Sequence, residues 1–237
     1  MGHFVFFISI RKDRIIAVLY IIAIIFGLAQ VIMVESVPAF SMPVSRRIVL
    51  IDPGHGAFDP GKVAGSVLEK EINLAISLKL QAFLEAGGAT VLMTRVDDQA
   101  LAEGKQGDMY RRKQIANASQ ADIFISIHQN SFHRPNVHGA QVFYFDTSDN
   151  SRKLAENIQQ QLREFIDPGN RLQARPNENY YVLRQTVMPA VIVECGFLTN
   201  YNERSRLTQD EYQERIAWAI YMGIVQYFEA LDALDSH

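Results

Sequence analysis

The period of the hydrophobic positions changes along this chain, and the changes mark out its elements. Ile15 to Val34 is apolar on every side, with Gln30 its one strongly polar side chain. A helix of this length, at about 1.5 Å per residue, spans the roughly 30 Å core of a bilayer. From Arg47 onward the pattern alternates. Continuous apolar runs at Ile48–Ile51, Thr90–Thr94, Asp122–His128, Ala140–Phe145 and Ala190–Glu194 predict five strands. Between them the apolar residues recur at helical spacing: Ile72, Ile76, Leu80, Phe83 and Leu84; Leu154, Ile158, Leu162 and Phe165; Tyr212, Ile216, Ile220 and Tyr227. A shorter helix is expected over 109–118. Gly87-Gly88 and Asp167-Pro168-Gly169 stop two of the helices, and 170–189, centred on Tyr180–Arg184, reads as irregular. Strands apolar along their whole length and separated by helices predict a three-layer α/β fold. Its sheet is mostly parallel and twisted, with helices on both faces, and one N-terminal transmembrane helix precedes it.

Charge orients the predicted span. Arg11, Lys12 and Arg14 precede it, opposed only by Asp13, and Glu35 follows. The positive-inside rule then places residues 1–14 in the cytoplasm, 15–34 in the membrane as an anchor and the remainder outside. Residues 35–46, with Pro38 and Pro43, form a linker, and 47–237 form the catalytic domain. A cleaved signal peptide, cut near SVPAFSM, is the competing reading; its apolar region is usually only about 7 to 15 residues long. The whole chain carries a net charge of −3. Residues 1–34 contribute +2, which leaves −5 on the rest and no basic surface of the kind nucleic acid requires. Cys195 is the only cysteine, so no intrachain disulfide forms.

The candidate chemistry lies at the strand ends. The run Ile48–Ile51 breaks into Asp52-Pro53-Gly54-His55-Gly56, which puts His55 just past a strand's carboxyl end. Arg95, His128 and Glu194 hold the same position after three other strands, and Glu69 opens the first helix behind a glycine-rich loop. In open α/β sheets this edge is where ligands bind. Two histidines and a glutamate with a fourth position open make a catalytic zinc sphere, so His55, Glu69 and His128 are the expected ligands of one Zn2+. Glu194 ends a strand of Val and Ile, where an unpaired carboxylate is costly unless it works as a general base. The plainer reading pairs Glu194 with Arg95 or Arg184. Arg111, Arg112 and Lys113 read as a solvated helix face, with Arg95, Arg111, Arg112 and Arg184 as candidate cations for an anionic substrate. His3, His133, His138 and His237 read as surface or terminal residues. Strand alternation turns Cys195 away from the cleft into the packing. The residues by themselves indicate a metal-dependent amidohydrolase or peptidase.

The segments IVLIDPGHGAFDPG, LEKEINL, MTR, IFISIHQNSF and PAVIVECGFLTN together resemble the zinc-dependent N-acetylmuramoyl-L-alanine amidases of bacterial cell walls, in order, over about residues 47–230. The resemblance implies zinc ligation by His55, Glu69 and His128, catalysis by Glu194, and hydrolysis of the amide between the muramic acid lactyl group and L-alanine of peptidoglycan. A single anchor before one catalytic domain, together with the stretch TRVDDQALAEGKQG, is most similar to the germination-specific members of that family in endospore formers. For those members it implies spore cortex maturation through muramic-δ-lactam, a polysaccharide deacetylase acting next, and a regulatory lipoprotein partner. A general role in division or wall turnover, a zinc exopeptidase, and a wall-binding module without catalysis are the alternatives. The dozen residues after His128 leave no room for the autoinhibitory helix of some division amidases.

Overall fold

The structure is a computed structural model, and it describes residues 20–22 and 44–235. The predicted anchor over 15–34 and its linker therefore lie almost wholly outside the described residues. Among the described residues no helix is long and apolar enough to cross a membrane. The described residues from Val44 to Asp235 belong to one compact unit.

Its elements run in the order β1 (Ile48–Pro53), β2 (Val63–Ala64), β3 (Val67–Leu68), α1 (Glu69–Ala86), β4 (Thr90–Met93), α2 (Gly104–Ala118), β5 (Ile123–Asn130), β6 (Gln141–Tyr144), α3 (Asp149–Phe165), β7 (Arg175–Pro176), α4 (Tyr181–Gln185), β8 (Ala190–Phe197), α5 (Tyr201–Leu207) and α6 (Asp210–Asp235). β2 and β3 pair as a small hairpin, and the other six strands form one sheet in the order β4-β1-β5-β8-β6-β7. The four strands β4, β1, β5 and β8 are parallel, as their apolar runs predicted, and β6 joins β8 antiparallel. The five predicted strands and the long helices are thus present.

Alternation along the strands sorts their side chains. Val49, Ile51, Ile123, Ile125, Ile127, Val191, Val193 and Cys195 enter the larger core with α1, α3 and α6. Leu50, Phe124, Phe143, Ala190 and Ile192 enter a smaller core on the other face, with residues of α2 and α4. On that second face the register aligns Leu50 with Phe124 and Ala190, then Asp52 with Ser126 and Ile192, then His128 with Glu194. The face is apolar at the amino ends of the strands and polar at their carboxyl ends. This change of character within single strands builds the floor of the site.

Three expectations need correction. α2 begins at Gly104, not Met109, because its first turns are polar and carry no apolar stripe to announce them. Residues 170–189 contain the short β7 and the one-turn α4. Arg112 is not on a solvated face: it is buried, pairing with Asp52 at 2.5 Å and with Asp108 at 2.7 Å. A run of three adjacent cations hides this, because helical geometry turns each of them about 100° from the next. As expected, no residue in 131–140 is helical.

Candidate metal centre

The loop after β1 adopts a conformation that most residues avoid. His55 has φ 64°, in the left-handed region, at a cost of about 1–2 kcal/mol for a residue with a Cβ. Buried donors on three successive carbonyls hold it there. Arg95 donates from Nε to the Pro53 carbonyl at 2.9 Å and from Nη2 to the Gly54 carbonyl at 3.0 Å. Arg112 donates to the Pro53 carbonyl at 2.9 Å and to the His55 carbonyl at 2.7 Å. Asn73, on α1, adds a bond to the Gly54 carbonyl at 3.1 Å. Arg112 is itself fixed by Asp52, whose carboxylate also accepts from Thr94 and Ser126. Burial opposes the Asp52 charge, but Arg112 and the two hydroxyls prevail and hold its carboxyl below the usual value of 3.8.

Glu69 stands in the first turn of α1, where the helix dipole favours a carboxylate. Its Oε2 accepts from the Lys62 N–H at 2.7 Å, and its Oε1 from the Gln129 N–H at 3.1 Å. The same Oε1 lies 3.1 Å from His55 Nε2 and 3.0 Å from His128 Nδ1. Burial opposes its ionisation, but the two imidazoles outweigh it and drive the carboxyl far below the usual carboxylate range. Burial likewise opposes charge on His55, yet its bonds to Glu69 and Asp59 raise the imidazole above its ordinary value. His55, Glu69 and His128 form a cluster whose ligand atoms all lie within 4.8 Å of one another. Around tetrahedral zinc, bonds of about 2.0–2.1 Å place neighbouring ligand atoms roughly 3.3 Å apart. The two distances to Glu69 Oε1 are therefore close to those of a loaded site, and the donor set of two imidazoles and a carboxylate fits zinc. The other nitrogen of His55, Nδ1, sits 2.8 Å from Asp59 Oδ2, the carboxylate–imidazole contact that orients metal-binding histidines. Lys105 in turn pairs with Asp59 at 2.8 Å.

The histidine rings meet edge to face at 4.9 Å, and this packing depends on Gly54. A Cβ at Gly54 would lie 2.2 Å from His128 Cε1. At Gly61, with φ 67°, a Cβ would meet Glu69 Oε2 at 2.6 Å. Both glycines provide room for side chains of the cluster.

Glu194, the register partner of His128, is buried. Its Oε1 accepts from the Tyr180 hydroxyl at 3.2 Å, and its Oε2 has no partner among the described residues. Burial pushes its carboxyl up to about 7 from a usual 4.5, with the Glu69 charge reinforcing the shift. A cleft of about 450 Å³ opens over these groups, and Lys105, Met109, Asn130, Ser131, Tyr180 and Tyr181 contribute to its wall.

Not every candidate residue reaches this cleft. Arg95 is only 2% exposed and spends its donors on the carbonyls of Pro53, Gly54, Lys70 and Asp97, so it supports the site from beneath and offers nothing to substrate. Arg184 is exposed on α4, its guanidinium 3.5 Å from the Glu178 carbonyl. Neither pairs with Glu194; Lys105, exposed and paired with Asp59, lines the cleft, as does the buried Arg112. Cys195 faces the larger core, where burial holds its thiol protonated. Asp59, Asn73, Lys105 and Tyr180 were not legible as parts of the site, and Arg112, read as a candidate substrate cation, instead clamps the loop from within. Of these only Asp59 had a local signal, lying four residues after His55 in the same turn-rich loop.

Residues 49–226 match the family described as N-acetylmuramoyl-L-alanine amidase. The germination-specific N-acetylmuramoyl-L-alanine amidase of Bacillus subtilis (strain 168) is 36% identical over 202 residues, which is 82% of this chain and 85% of that protein. The CwlD amidase of Clostridioides difficile, solved in complex with the GerS lipoprotein, is 38% identical with a TM-score of 0.76, covering 78% of this chain and 99% of that one. An N-acetylmuramoyl-L-alanine amidase from Clostridium difficile 630 is 30% identical with a TM-score of 0.70, over 77% of this chain and 97% of that one. With the same fold, and a match over most of its length, the chain belongs to the N-acetylmuramoyl-L-alanine amidase family.

Proposed function

We propose that this protein is a zinc-dependent hydrolase of the amide between the muramic acid lactyl group and L-alanine, of the germination-specific type, acting outside the cytoplasm. His55, Glu69 and His128 hold the metal and Glu194 is the general base. One observation carries this reading. His55 Nε2 and His128 Nδ1 each come within 3.0–3.1 Å of Glu69 Oε1, beside the buried carboxylate of Glu194, whose Oε2 has no partner among the described residues.

Zinc held there supplies Lewis acidity toward the scissile carbonyl and lowers the pKa of the attacking water. The protein supplies the rest. Glu69 and the two imidazoles are fixed before substrate arrives, because Lys62, Gln129, Asp59 and the arginine-clamped loop already hold them. Glu194 takes the proton from the attacking water and delivers it to the leaving nitrogen, so that L-alanine departs as a free amine. Without metal, burial raises this carboxyl to about 7, and the charge of bound zinc would lower it again. Lys105, paired with Asp59 yet exposed on the cleft wall, is the cation we assign to the carboxylates of the stem peptide.

The similarity to the germination-specific amidase of Bacillus subtilis supports a role in making spore cortex, with a deacetylase acting next toward muramic-δ-lactam. The lipoprotein complex of the Clostridioides relative supports a lipoprotein partner for this chain as well. The test is digestion of purified cortex and vegetative peptidoglycan, with and without chelator, followed by mass spectrometry. Chelator-sensitive release of whole stem peptides beginning at L-alanine, with no cleavage of peptides lacking muramic acid, is expected. Release of single amino acids from free peptides would instead make the protein a zinc exopeptidase.

A further inference from the structure

We propose that Tyr180 is a positioning residue for this hydrolysis: its hydroxyl holds Oε1 of Glu194 and so sets the orientation of the carboxylate that takes the proton. The inference rests on the assignment of Glu194 as general base.

The Glu194 carboxylate sits in an apolar strand with few anchors. Among the described residues no cation pairs with it, and Tyr180 Oη, 3.2 Å from Oε1, is its one hydrogen-bond donor. The terminal torsion of a glutamate is broad and roughly two-fold, so packing alone leaves the two oxygens interchangeable. One directed hydrogen bond removes that ambiguity. A phenol titrates near 10 in water and burial raises this one further, so Tyr180 remains a donor throughout the working range.

Tyr180 is built to hold still. Its ring packs edge-on against Phe143 of β6, with centroids 5.5 Å apart and planes at 70°. Its backbone N–H is 3.3 Å from Asn177 Oδ1, which also accepts from the Asn179 N–H at 2.8 Å and closes the turn leading into α4. The hydroxyl therefore reaches the carboxylate from a fixed ring on a fixed turn. Such an arrangement spends no ordering entropy when substrate binds.

The experiment compares Tyr180→Phe, Glu194→Gln and the double variant in the full chain, measuring kcat and KM on purified peptidoglycan and zinc affinity by chelator competition. Phenylalanine keeps the ring against Phe143 and removes only the hydroxyl. A lost hydrogen bond to a charged group corresponds to roughly a 10- to 100-fold fall in kcat, with KM and zinc affinity within about twofold of the parent. In the Glu194→Gln background the same change should cost nothing more, because the group it positions is gone. An unchanged kcat in Tyr180→Phe, a rise in KM alone, or an equal loss in the Glu194→Gln background would overturn the proposal. A Glu194→Gln enzyme that retained parental activity would refute the base assignment itself, an outcome separate from the other three.

Discussion

Substituting Gly54 by alanine tests the account of the metal centre with the smallest possible change. Gly54 does not need a positive φ, so alanine meets no backbone penalty there. Its Cβ would instead lie 2.2 Å from Cε1, 2.3 Å from Nε2 and 2.7 Å from Nδ1 of His128. Comfortable contact begins at about 3.5 Å, so the ring must retreat by roughly 1.3 Å. Zinc coordination tolerates displacements of only about 0.2 Å. The 3.0 Å approach of His128 Nδ1 to Glu69 Oε1 is then lost, and with it one of three ligands. A displacement of about 1 Å in a catalytic group costs on the order of 100-fold in rate, and overpacking a buried site costs about 1–3 kcal/mol in stability. The assay is zinc affinity by chelator competition beside kcat/KM on peptidoglycan. The control is Gly65→Ala, where φ is +66° and nothing lies within 4 Å of the added carbon. It carries backbone strain without a clash and should keep both zinc and activity. Gly54→Ala enzyme with parental zinc affinity and kcat/KM within tenfold of the parent would refute the argument.

Two further predictions concern the buried charges. Arg112→Met leaves Asp52 buried without its cation and should cost about 3–5 kcal/mol in chemical denaturation; adding Asp52→Asn should recover part of that loss. The Asp52 carboxyl lies below its unfolded value in the parent, so its contribution is present above pH 3.8 and lost as pH falls through the folded value; in Arg112→Met burial prevails and the sign reverses. Glu194 is held at about 7 against 4.5 when unfolded, so the metal-free protein should lose stability as pH rises from 4.5 through 7. The loss from this group is on the order of 3 kcal/mol, and Glu194→Gln should abolish it. Added zinc charge favours the carboxylate, so the acid limb of kcat/KM should fall below pH 7; an acid limb above 7 would contradict the assignment.

Much of the fold was legible because one physical rule governs it. Strands buried on both faces must be apolar at nearly every position, and helices covering them must carry a stripe, so the two periods separate cleanly along the chain. Parallel order then put His55, His128 and Glu194 at one edge of the sheet, and Glu69 followed from the helix start beside the glycine-rich loop. Their grouping as a candidate metal set was legible because imidazole and carboxylate are recognisable donors, and His55, Glu69 and His128 do come together.

Other features depended on contacts between distant segments. Arg112 read as one of three solvated cations, yet it is buried against Asp52, 60 positions away. Arg95 read as a substrate cation, yet four backbone carbonyls occupy it. Helical period and strand-end position are local properties. They do not say which side of a polar helix meets the sheet, or which carbonyls need a buried donor. Tyr180 and Glu194 lie 14 positions apart with an irregular segment between them, and no periodicity links them. By itself the sequence determined the layers, the direction of the main strands and the edge at which chemistry gathers, because these follow from patterns of burial. Only the tertiary structure decided which charges are buried, which glycine makes room for a histidine ring and which hydroxyl reaches the glutamate, because each is settled by segments that meet only when the sheet has formed.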